Sequence, residues 1–241
     1  MGRVIIVGDV HIGASGGQRH KSFSAFLDYV RLEKPQALLL AGDIFEFMYG
    51  STKWNSKKYP DIFQKLELLH KNGIKIYYVY GNHDFCFHPT FDFMNISAGY
   101  EKIKIAGRNF CFKHGDGLDP DDKKYILLKK VLRSKFFSLI AKITPDLVLY
   151  FLANFFSSLS RRVDHDPRVL EKRARIYKEV ALGLLNKDGL DVVAFGHSHV
   201  AEFCRIGHPG RIYLNPGFFG KDYTYAVIEN DNSVYIGVFN E

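Results

Sequence analysis

The sequence has few cysteines and no close pair of them. Its 241 residues contain three, Cys86, Cys111 and Cys204, which form neither a CxxC pair nor an even set. This scarcity excludes a disulfide-stabilised secreted scaffold and predicts a protein kept reduced in the cytoplasm. With 8 Pro, 21 Gly and 46% apolar residues, the composition also excludes disorder, collagen and a coiled coil.

Long uninterrupted apolar runs are missing as well. The chain passes from Met1-Gly2-Arg3 into only four apolar residues, and position 6 is Ile, so it predicts neither a signal peptide nor N-myristoylation. Residues 136–159 contain 16 apolar residues among 24, but Lys142 and Pro145 interrupt them. A bilayer span needs about 20 continuous apolar residues, so we expect no transmembrane helix.

Acidic residues are scarce in one part of the chain. Between residues 118 and 175 there are 13 Lys or Arg and 7 Asp or Glu, which places +6 of the net charge of +7 in that segment. Such a basic segment indicates an anionic partner, namely phosphate, nucleic acid or an acidic membrane surface, although a solvated basic face has the same composition.

The pattern of the chain predicts an α/β fold. Short β-branched or aromatic runs recur and end in Asp, His or Asn, while amphipathic stretches at 22–32 and 62–70 predict helices between them. Strands alone are predicted after residue 205, at 211–214, 224–228 and 234–238, and we expect them to complete a second sheet. The earlier predicted strands are residues 4–7, 37–40, 75–80, 110–113 and 192–195.

No flexible linker divides the sequence, which predicts a single domain over residues 1–241 with an inserted helical cap at about 121–187. On a helix starting at Asp146, large apolar side chains cover most of the surface. A wide apolar face flanked by basic residues is typical of a lipid interface or an acyl-chain pocket. A cap helix that is buried against the main body would show the same pattern.

Five short blocks hold nearly all the chemically distinctive side chains. Because ligands of open α/β sheets bind beyond the carboxyl ends of the strands, we expect these blocks to meet in one crevice. Residues two apart in an extended turn point to the same side. We therefore expect one site to be bound by Asp9 with His11, and one site by His197 with His199. Glycines within the blocks allow close backbone approach. The blocks are Asp9-Val10-His11, Gly42-Asp43, Gly81-Asn82-His83-Asp84, His114-Gly115-Asp116 and Gly196-His197-Ser198-His199.

These blocks predict a metal centre. They supply four imidazoles, two carboxylates and one carboxamide, which is more than one octahedral ion needs, and they contain no thiolate. Two divalent ions of intermediate hardness, Mn, Fe or Zn, match this donor set, and manganese is the ion that we expect. The predicted ligands are Asp9, His11, Asp43, Asn82, His114, His197 and His199.

In this order the blocks resemble the signature of the calcineurin-like metallophosphoesterase family. The resemblance implies two facing β-sheets flanked by helices, with a dinuclear metal centre that hydrolyses phosphoesters. It also implies one ion at Asp9, His11 and His199, a second at Asn82, His114 and His197, and Asp43 bridging them. His83 would then stabilise the transition state or protonate the leaving group, with Asp84 orienting its ring.

Within that family the blocks are most similar to bacterial enzymes that hydrolyse UDP-2,3-diacylglucosamine in lipid A synthesis. The similar segments are Gly42 to Glu46, Asn82 to Phe85, and His114 through Asp122 to Tyr125. The resemblance implies a lipid-nucleotide substrate, products UMP and 2,3-diacylglucosamine 1-phosphate, and a peripheral location on the cytoplasmic face of the inner membrane, whose surface is anionic. The residues expected to bind substrate are Asp122, Tyr125, Phe151, Phe155, Arg161 and Arg162.

Two other functions share parts of this pattern. A generic nucleotide or phosphodiester hydrolase, nuclease-like in its use of a basic cap, has the same metal ligands. The apolar run from Leu147 to Leu159 suits hydrocarbon better than a nucleic acid, so no nucleic-acid partner is expected. A non-catalytic scaffold of this fold is expected to have lost ligands, and none is missing here. Neither the oligomeric state nor the exact phosphoester follows from the sequence.

Overall fold

Two mixed β-sheets flanked by helices make up the fold, which confirms the predicted α/β class. The computed structural model describes residues 2–13, 17–51, 56–88, 91–132, 134, 136, 144, 148, 166–187, 189–207 and 210–240. The strands are β1 (Val4–Val7), β2 (Ala37–Leu40), β3 (Met48–Ser51), β4 (Lys75–Val79), β5 (Asp84–His88), β6 (Asn95–Ser97), β7 (Tyr100–Ile105), β8 (Arg108–Lys113), β9 (Val192–Phe195), β10 (Glu202–Ile206), β11 (Arg211–Asn215), β12 (Thr224–Ile228) and β13 (Val234–Val238). The helices are α1 (Gln18–Glu33), α2 (Pro60–Lys71), α3 (Lys123–Leu132), α4 (Pro167–Lys187) and the short α5 (Phe219–Asp222).

The first sheet has the strand order β13-β12-β1-β2-β4-β6. Its centre is parallel, with β1 paired to β2 and β2 to β4, and these strands are almost continuously apolar because both of their faces are buried. Helix α1 packs Phe23, Phe26 and Val30 into the cluster on one face of this sheet, and α2 adds Leu66 and Leu69. Proline in the first turn of α2 suits a helix start, where its missing N–H costs nothing.

The second sheet has the strand order β10-β11-β9-β8-β7. Residues from its inner face, including Phe110 and Val192, share one buried cluster with Ile6 and Leu39 of the first sheet, so the two sheets face each other. Its outer face is covered by α4, which packs Tyr177, Ala181 and Leu185 into a third cluster. A small parallel pair, β3 with β5, lies apart from both sheets.

The prediction that all the last strands complete a second sheet is wrong for two of them. Strand β11 joins the second sheet, where it lies parallel to β9, but β12 pairs antiparallel with β1 and extends the first sheet together with β13. All three were predicted as strands from local alternation. The sheet that a strand joins depends on its pairing partner. Strand β12 pairs with β1, more than a hundred residues earlier in the sequence, and β11 pairs with β9, about twenty residues earlier. Local alternation does not encode such pairing.

The predicted cap is described mainly at its two ends, with residues 134, 136, 144 and 148 between them. Helices α3 and α4 lie within residues 121–187, and no strand occurs among the described residues of that segment. The predicted helix from Leu147 to Leu159 falls outside the described residues except for Val148. In the described part of the chain no helix is both long and apolar enough to cross a bilayer.

Candidate metal centre

The five predicted blocks meet at one end of the two facing sheets. Asp9 and His11 follow β1, Asp43 follows β2, and the Asn82-His83 turn follows β4. His114 follows β8, and His197 with His199 follows β9. The carboxyl ends of these parallel strands therefore deliver every donor to the same crevice, as expected for an open α/β sheet.

The donor turns are not extended, which corrects the premise of the sequence analysis. Asp9, His11 and Asp43 all have φ of 52°, and His197 and His199 have φ of 61° and 59°. This left-handed region is unfavourable for residues with a Cβ, so the surrounding structure must hold it. Such concentrated backbone strain at five donor positions is typical of a functional site.

Backbone hydrogen bonds hold the strained turns together. The amide of Asp9 donates to the Gly42 carbonyl at 3.0 Å, and the amide of His11 donates to the Asp43 carbonyl at 3.0 Å. On the other sheet, the amide of Gly196 donates to the His114 carbonyl at 2.8 Å. The turns after β1 and β2 thus form one unit, and the turns after β8 and β9 form a second.

The first donor group consists of Asp9, His11 and His199, whose ligand atoms all lie within 4.8 Å of one another. Asp9 Oδ1 lies 3.3 Å from His199 Nε2, yet within the described residues it has no hydrogen-bond partner although it is buried. The His199 ring stacks on Phe218 with 4.2 Å between ring centroids. A buried carboxylate oxygen without a donor is costly unless a cation satisfies it.

The second donor group consists of Asp43, His114 and His197, again within 4.8 Å of one another. His114 Nε2 lies 3.3 Å from Asp43 Oδ2 and 3.0 Å from Asn82 Oδ1. His114 Nδ1 donates to the Ala41 carbonyl at 2.6 Å, which fixes the ring. Three acceptor atoms therefore converge on a position that only a shared proton or a metal ion can satisfy.

The structure separates His197 from His199. The extended-turn argument assigned both to one site, but His197 belongs to the second donor group and His199 to the first. The structure thus places His199 with His11, and His197 with His114. Asp9 and His11 both lie in the first group.

A third group, which the sequence analysis did not predict, consists of His11, Glu46 and His83. Glu46 is buried, and its Oε2 lies 3.5 Å from His11 Nδ1. The rings of His11 and His83 meet edge to face with 4.7 Å between centroids. Glu46 was visible in the sequence as the last residue of the Gly42 to Glu46 block, but nothing in its spacing marked it as a partner of His11.

Asp84 does not orient the His83 ring, which corrects the role expected from the family resemblance. His83 Nδ1 donates instead to the backbone carbonyl of Glu46 at 2.7 Å. Asp84 accepts hydrogen bonds from the Gly81 amide at 2.7 Å, the Asp43 amide at 3.2 Å and the Tyr78 hydroxyl at 2.9 Å. Asp84 therefore holds together the turns after β2 and β4.

Glycine at position 81 is required by close packing, as the sequence predicted for the blocks. A Cβ on Gly81 would lie 1.9 Å from Asp43 Oδ1, an impossible contact. Gly42 has φ of +88°, and a Cβ there would lie 2.6 Å from His114 Nδ1. Both glycines bring the backbone of one turn against the donors of another.

Burial and charge shift the titration of the donors in opposite directions. Burial, reinforced by the charge of His114, holds the pKa of His197 well below its usual value. Burial would raise the pKa of Asp43, but the nearby His114 and His83 hold it well below the ordinary value. Burial would lower the pKa of His114, yet Asp43 raises it to about 10. In the second donor group a proton on His114 thus offsets the Asp43 charge.

The pKa values of Asp84 and His83 are both raised. Burial and the negative charge of Asp43 raise the pKa of Asp84 to about 6. Burial opposes protonation of His83, but Asp43 and Glu46 outweigh it and raise the pKa of this imidazole above its usual value. A raised pKa favours the protonated imidazole, which is the form that a proton donor needs.

The donor set fits divalent metal ions. Both groups combine a carboxylate with two imidazoles, and Asn82 adds a carboxamide oxygen beside the second. Within the described residues Asp9 Oδ1 accepts no hydrogen bond, and Asp43 Oδ2 and Asn82 Oδ1 both lie close to His114 Nε2. A cation would stabilise both arrangements. Residues of the first and second groups, with Asn82, are therefore suited to hold metal.

Two predicted substrate-binding residues are described, and they differ in position. Tyr125 lies beside the second donor group, with its ring centroid 6.4 Å from that of His197, and its hydroxyl donates to Asp116 Oδ2 at 2.7 Å. Asp122 Oδ1 instead accepts a hydrogen bond from the Tyr125 amide at 3.1 Å, which caps the start of α3. Phe151, Phe155, Arg161 and Arg162 lie outside the described residues.

Comparison with known proteins places the chain in one family. The family model for calcineurin-like phosphoesterases matches residues 2–201. A "UDP-2,3-diacylglucosamine hydrolase" of Blochmanniella pennsylvanica is 27% identical over 208 residues, covering 84% of this chain and 81% of that protein. A protein of the same name from Psychromonas ingrahamii is 24% identical over 202 residues, covering 82% and 80%.

Solved structures of similar shape have low sequence identity. Vacuolar protein sorting 29 of Cryptosporidium parvum matches with a TM-score of 0.46 and 15% identity, covering 98% of this chain and 96% of the other. A predicted phosphoesterase of Streptococcus pneumoniae matches with a TM-score of 0.42 and 15% identity, covering 98% and 94%.

Proposed function

The chain belongs to the calcineurin-like phosphoesterase family and is a metal-dependent hydrolase, and from that premise we propose that it cleaves the pyrophosphate of UDP-2,3-diacylglucosamine. The products are UMP and 2,3-diacylglucosamine 1-phosphate. Two observations support this proposal together: the paired donor groups at the strand ends, and relatives of that name that match over most of both chains. The donor groups support the metal-dependent chemistry, and the names of the relatives support the choice of substrate.

We assign one ion to the first donor group and one to the second, with manganese as the metal. When bound, such ions stabilise negative charge on phosphoryl oxygens and lower the pKa of water. Asp43 is proposed to contact both ions, because its carboxylate lies 3.3 Å from His114 and its charge is also felt by His11 of the first group. Asn82 adds its carboxamide oxygen to the second ion.

His83 is the proposed catalytic acid. Its Nδ1–H is held by the Glu46 carbonyl, and its amide donates to Asp43 Oδ1 at 2.8 Å, so both the ring and the backbone are fixed. The second ring nitrogen, Nε2, then holds the proton that the leaving phosphate oxygen needs. The raised pKa of His83 favours this protonated form of the ring.

A substrate comparison tests the proposed reaction. Purified protein with Mn²⁺ is incubated separately with UDP-2,3-diacylglucosamine and with a small aryl phosphodiester, and UMP release and aryl alcohol release are measured. Efficient release of UMP, with weak cleavage of the aryl ester, supports the proposal. Efficient aryl cleavage without UMP release contradicts it and favours the generic phosphodiester hydrolase.

Substitutions in the cap test whether acyl chains are bound there. Phe151 and Phe155 lie in the apolar run of the sequence, and burying one such side chain contributes about 1.5 to 3 kcal/mol. We expect Phe151→Asp and Phe155→Asp to raise KM for the diacylated substrate and to leave aryl ester cleavage nearly unchanged. Leu32→Asp, at a side chain 71% exposed on α1, is the control. Parallel loss of both activities, with earlier melting, would show a buried structural helix.

Peripheral membrane binding is part of the same proposal. The basic segment that contains Arg161 and Arg162 is proposed to bind the anionic inner-membrane surface, at about 1 kcal/mol for each basic residue near it. Co-sedimentation with phosphatidylglycerol vesicles should be strong at low salt, should fall at high salt, and should weaken in an Arg161→Glu/Arg162→Glu variant. Equal sedimentation with neutral vesicles contradicts electrostatic binding.

A further inference from the structure

Glu46 contacts two site residues through two different groups. Its carboxylate oxygen Oε2 lies 3.5 Å from His11 Nδ1, at the outer edge of hydrogen-bond distance, and its backbone carbonyl accepts the Nδ1–H of His83 at 2.7 Å. The Glu46 amide donates to the Ile12 carbonyl at 2.9 Å, which ties it to the residue after His11. Glu46 therefore lies between a proposed metal ligand and the proposed acid.

The Glu46 carboxylate is buried, and burying a charged group costs free energy. The Glu46 side chain is only 8% exposed, and the His11 side chain that it faces is 9% exposed. A buried carboxylate is retained at low cost only where it is paired and hydrogen-bonded. His11 is the paired group that the structure gives it, and both are within 4.8 Å of a His83 ring atom.

Histidine ligands of metal ions need one nitrogen for the ion and a partner for the other. The second nitrogen usually donates to a carboxylate or a carbonyl, which fixes the tautomer and the ring orientation. His114 shows this arrangement already, since its Nδ1 donates to the Ala41 carbonyl while Nε2 faces Asp43 and Asn82. For His11 the corresponding partner of Nδ1 is the Glu46 carboxylate.

We propose that Glu46 is a positioning residue of the metal centre: its carboxylate holds the Nδ1–H of His11, so that Nε2 is directed to the first donor group. The inference rests on the proposed metal-dependent function and deepens it. Through its carbonyl the same residue sets the His83 ring, so one segment at the end of the Gly42 to Glu46 block aligns a ligand and the acid.

Metal titration tests the proposal without substrate. Mn²⁺ affinity and stoichiometry are measured by calorimetry for the wild type, Glu46→Ala and Glu46→Gln. Glu46→Ala should weaken one of two Mn²⁺ sites by about 10- to 100-fold, the usual effect of losing such a partner, and leave the other unchanged. Glu46→Gln should retain much of the affinity, because its amide oxygen still accepts the His11 proton. The matched control is Glu229→Gln, whose carboxylate contacts Arg3 at 3.1 Å far from the donor groups, and which should bind both ions normally.

Three results would overturn the positioning role. Unchanged affinity at both sites in Glu46→Ala is the first. The second is a third Mn²⁺ in the wild type that disappears in both Glu46 variants, since Glu46 would then be a ligand of that ion. The third is equal weakening of both sites in Glu46→Gln and Glu46→Ala, with melting below the control, which indicates a purely structural role. If Glu46→Ala does not fold, Glu46→Gln and Glu46→Asp provide the comparison.

Aryl phosphodiester kinetics give an independent readout. At saturating Mn²⁺, a misplaced His11 in Glu46→Ala should lower kcat and leave KM almost unchanged, because His11 is not proposed to bind the aryl group. A rise in KM alone contradicts positioning. Because the metal titration needs no substrate, failure to cleave UDP-2,3-diacylglucosamine would contradict the proposed function and leave the role of Glu46 intact.

Discussion

The two donor groups contain the same types of side chain but are held in different ways. In the second group, His114 is fixed at both nitrogens, by Ala41 on one side and by Asp43 and Asn82 on the other. In the first group, the His199 ring is held by stacking on Phe218. Within the described residues its Nδ1 and the Asp9 Oδ1 have no hydrogen-bond partner.

This difference indicates how each group behaves without metal. A proton on His114 offsets the Asp43 charge, because Asp43 raises the pKa of that imidazole to about 10. Asp9 Oδ1 lies 3.3 Å from His199 Nε2 but accepts no hydrogen bond within the described residues, and a buried carboxylate oxygen without a hydrogen bond is costly. We therefore expect the fold around the first group to depend more strongly on a bound cation, and the second group to be preformed.

Asp43→Ala should have the largest effect, because it removes the one carboxylate that is proposed to join the two groups. Turnover should fall by about a thousandfold or more, corresponding to about 4 kcal/mol of lost transition-state stabilisation. Metal analysis should show loss from both groups. Full turnover, or loss of a single ion only, would contradict the proposal that Asp43 contacts both ions. Each group would then bind its ion independently of the other.

His83→Ala should spare both groups while reducing catalysis. Loss of a general acid typically costs about a hundredfold or more in kcat. Because His83 contacts the centre through its amide and its ring nitrogen but is not a proposed ligand, two ions should remain bound. The check is metal content together with kcat on the aryl ester; loss of metal with the ring would show that His83 belongs to a donor group.

Chelation should destabilise the wild type, and Asp9→Asn should reduce that effect. An ion present at 100 times its dissociation constant stabilises the folded state by about 2.7 kcal/mol, or about 5 to 10 °C in Tm for a chain of this size. Removing the Asp9 charge removes the group that most needs the cation. Thermal melts with Mn²⁺ and with EDTA measure the difference, and an identical Mn²⁺-dependent shift in Asp9→Asn would refute the comparison.

Asn215→Ala should have the smallest effect and should act on both groups together. The buried amide of Asn215 donates to the Gly196 carbonyl at 2.8 Å and to Ser198 Oγ at 3.0 Å, which holds the turn that carries His197 and His199. Leaving these groups unsatisfied should cost about 1 to 2 kcal/mol of stability. Urea unfolding measures the loss, with Asn240→Ala, at an exposed position, as the control.

Equal stability of the Asn215→Ala and Asn240→Ala variants would show that other contacts hold this turn. Weaker Mn²⁺ binding at only one group would show that His197 and His199 are held separately. Either result would show that the two donor groups differ through their own side chains and not through the turn that Asn215 holds.

The local elements were predictable because their signals are local. Strands β1, β2 and β9 were predicted with the bounds that the structure shows, since buried parallel strands are short apolar runs that end in polar turns. Asp9, Asp43 and His114 were recognised because each directly follows such a run. Strands β3, β5, β6, β7 and β10 were not predicted, because their polar or mixed sequences carry no clear alternation.

By itself, the sequence determined which side chains are available and at which strand ends they lie. Tertiary structure decided how they are grouped: His197 and His199 belong to different donor groups, and packing brings Glu46 between His11 and His83. It also decided that β12 and β13 extend the first sheet. The physical reason is that strand order and turn conformation depend on contacts between residues far apart in the chain, which no local pattern of apolar and polar residues encodes.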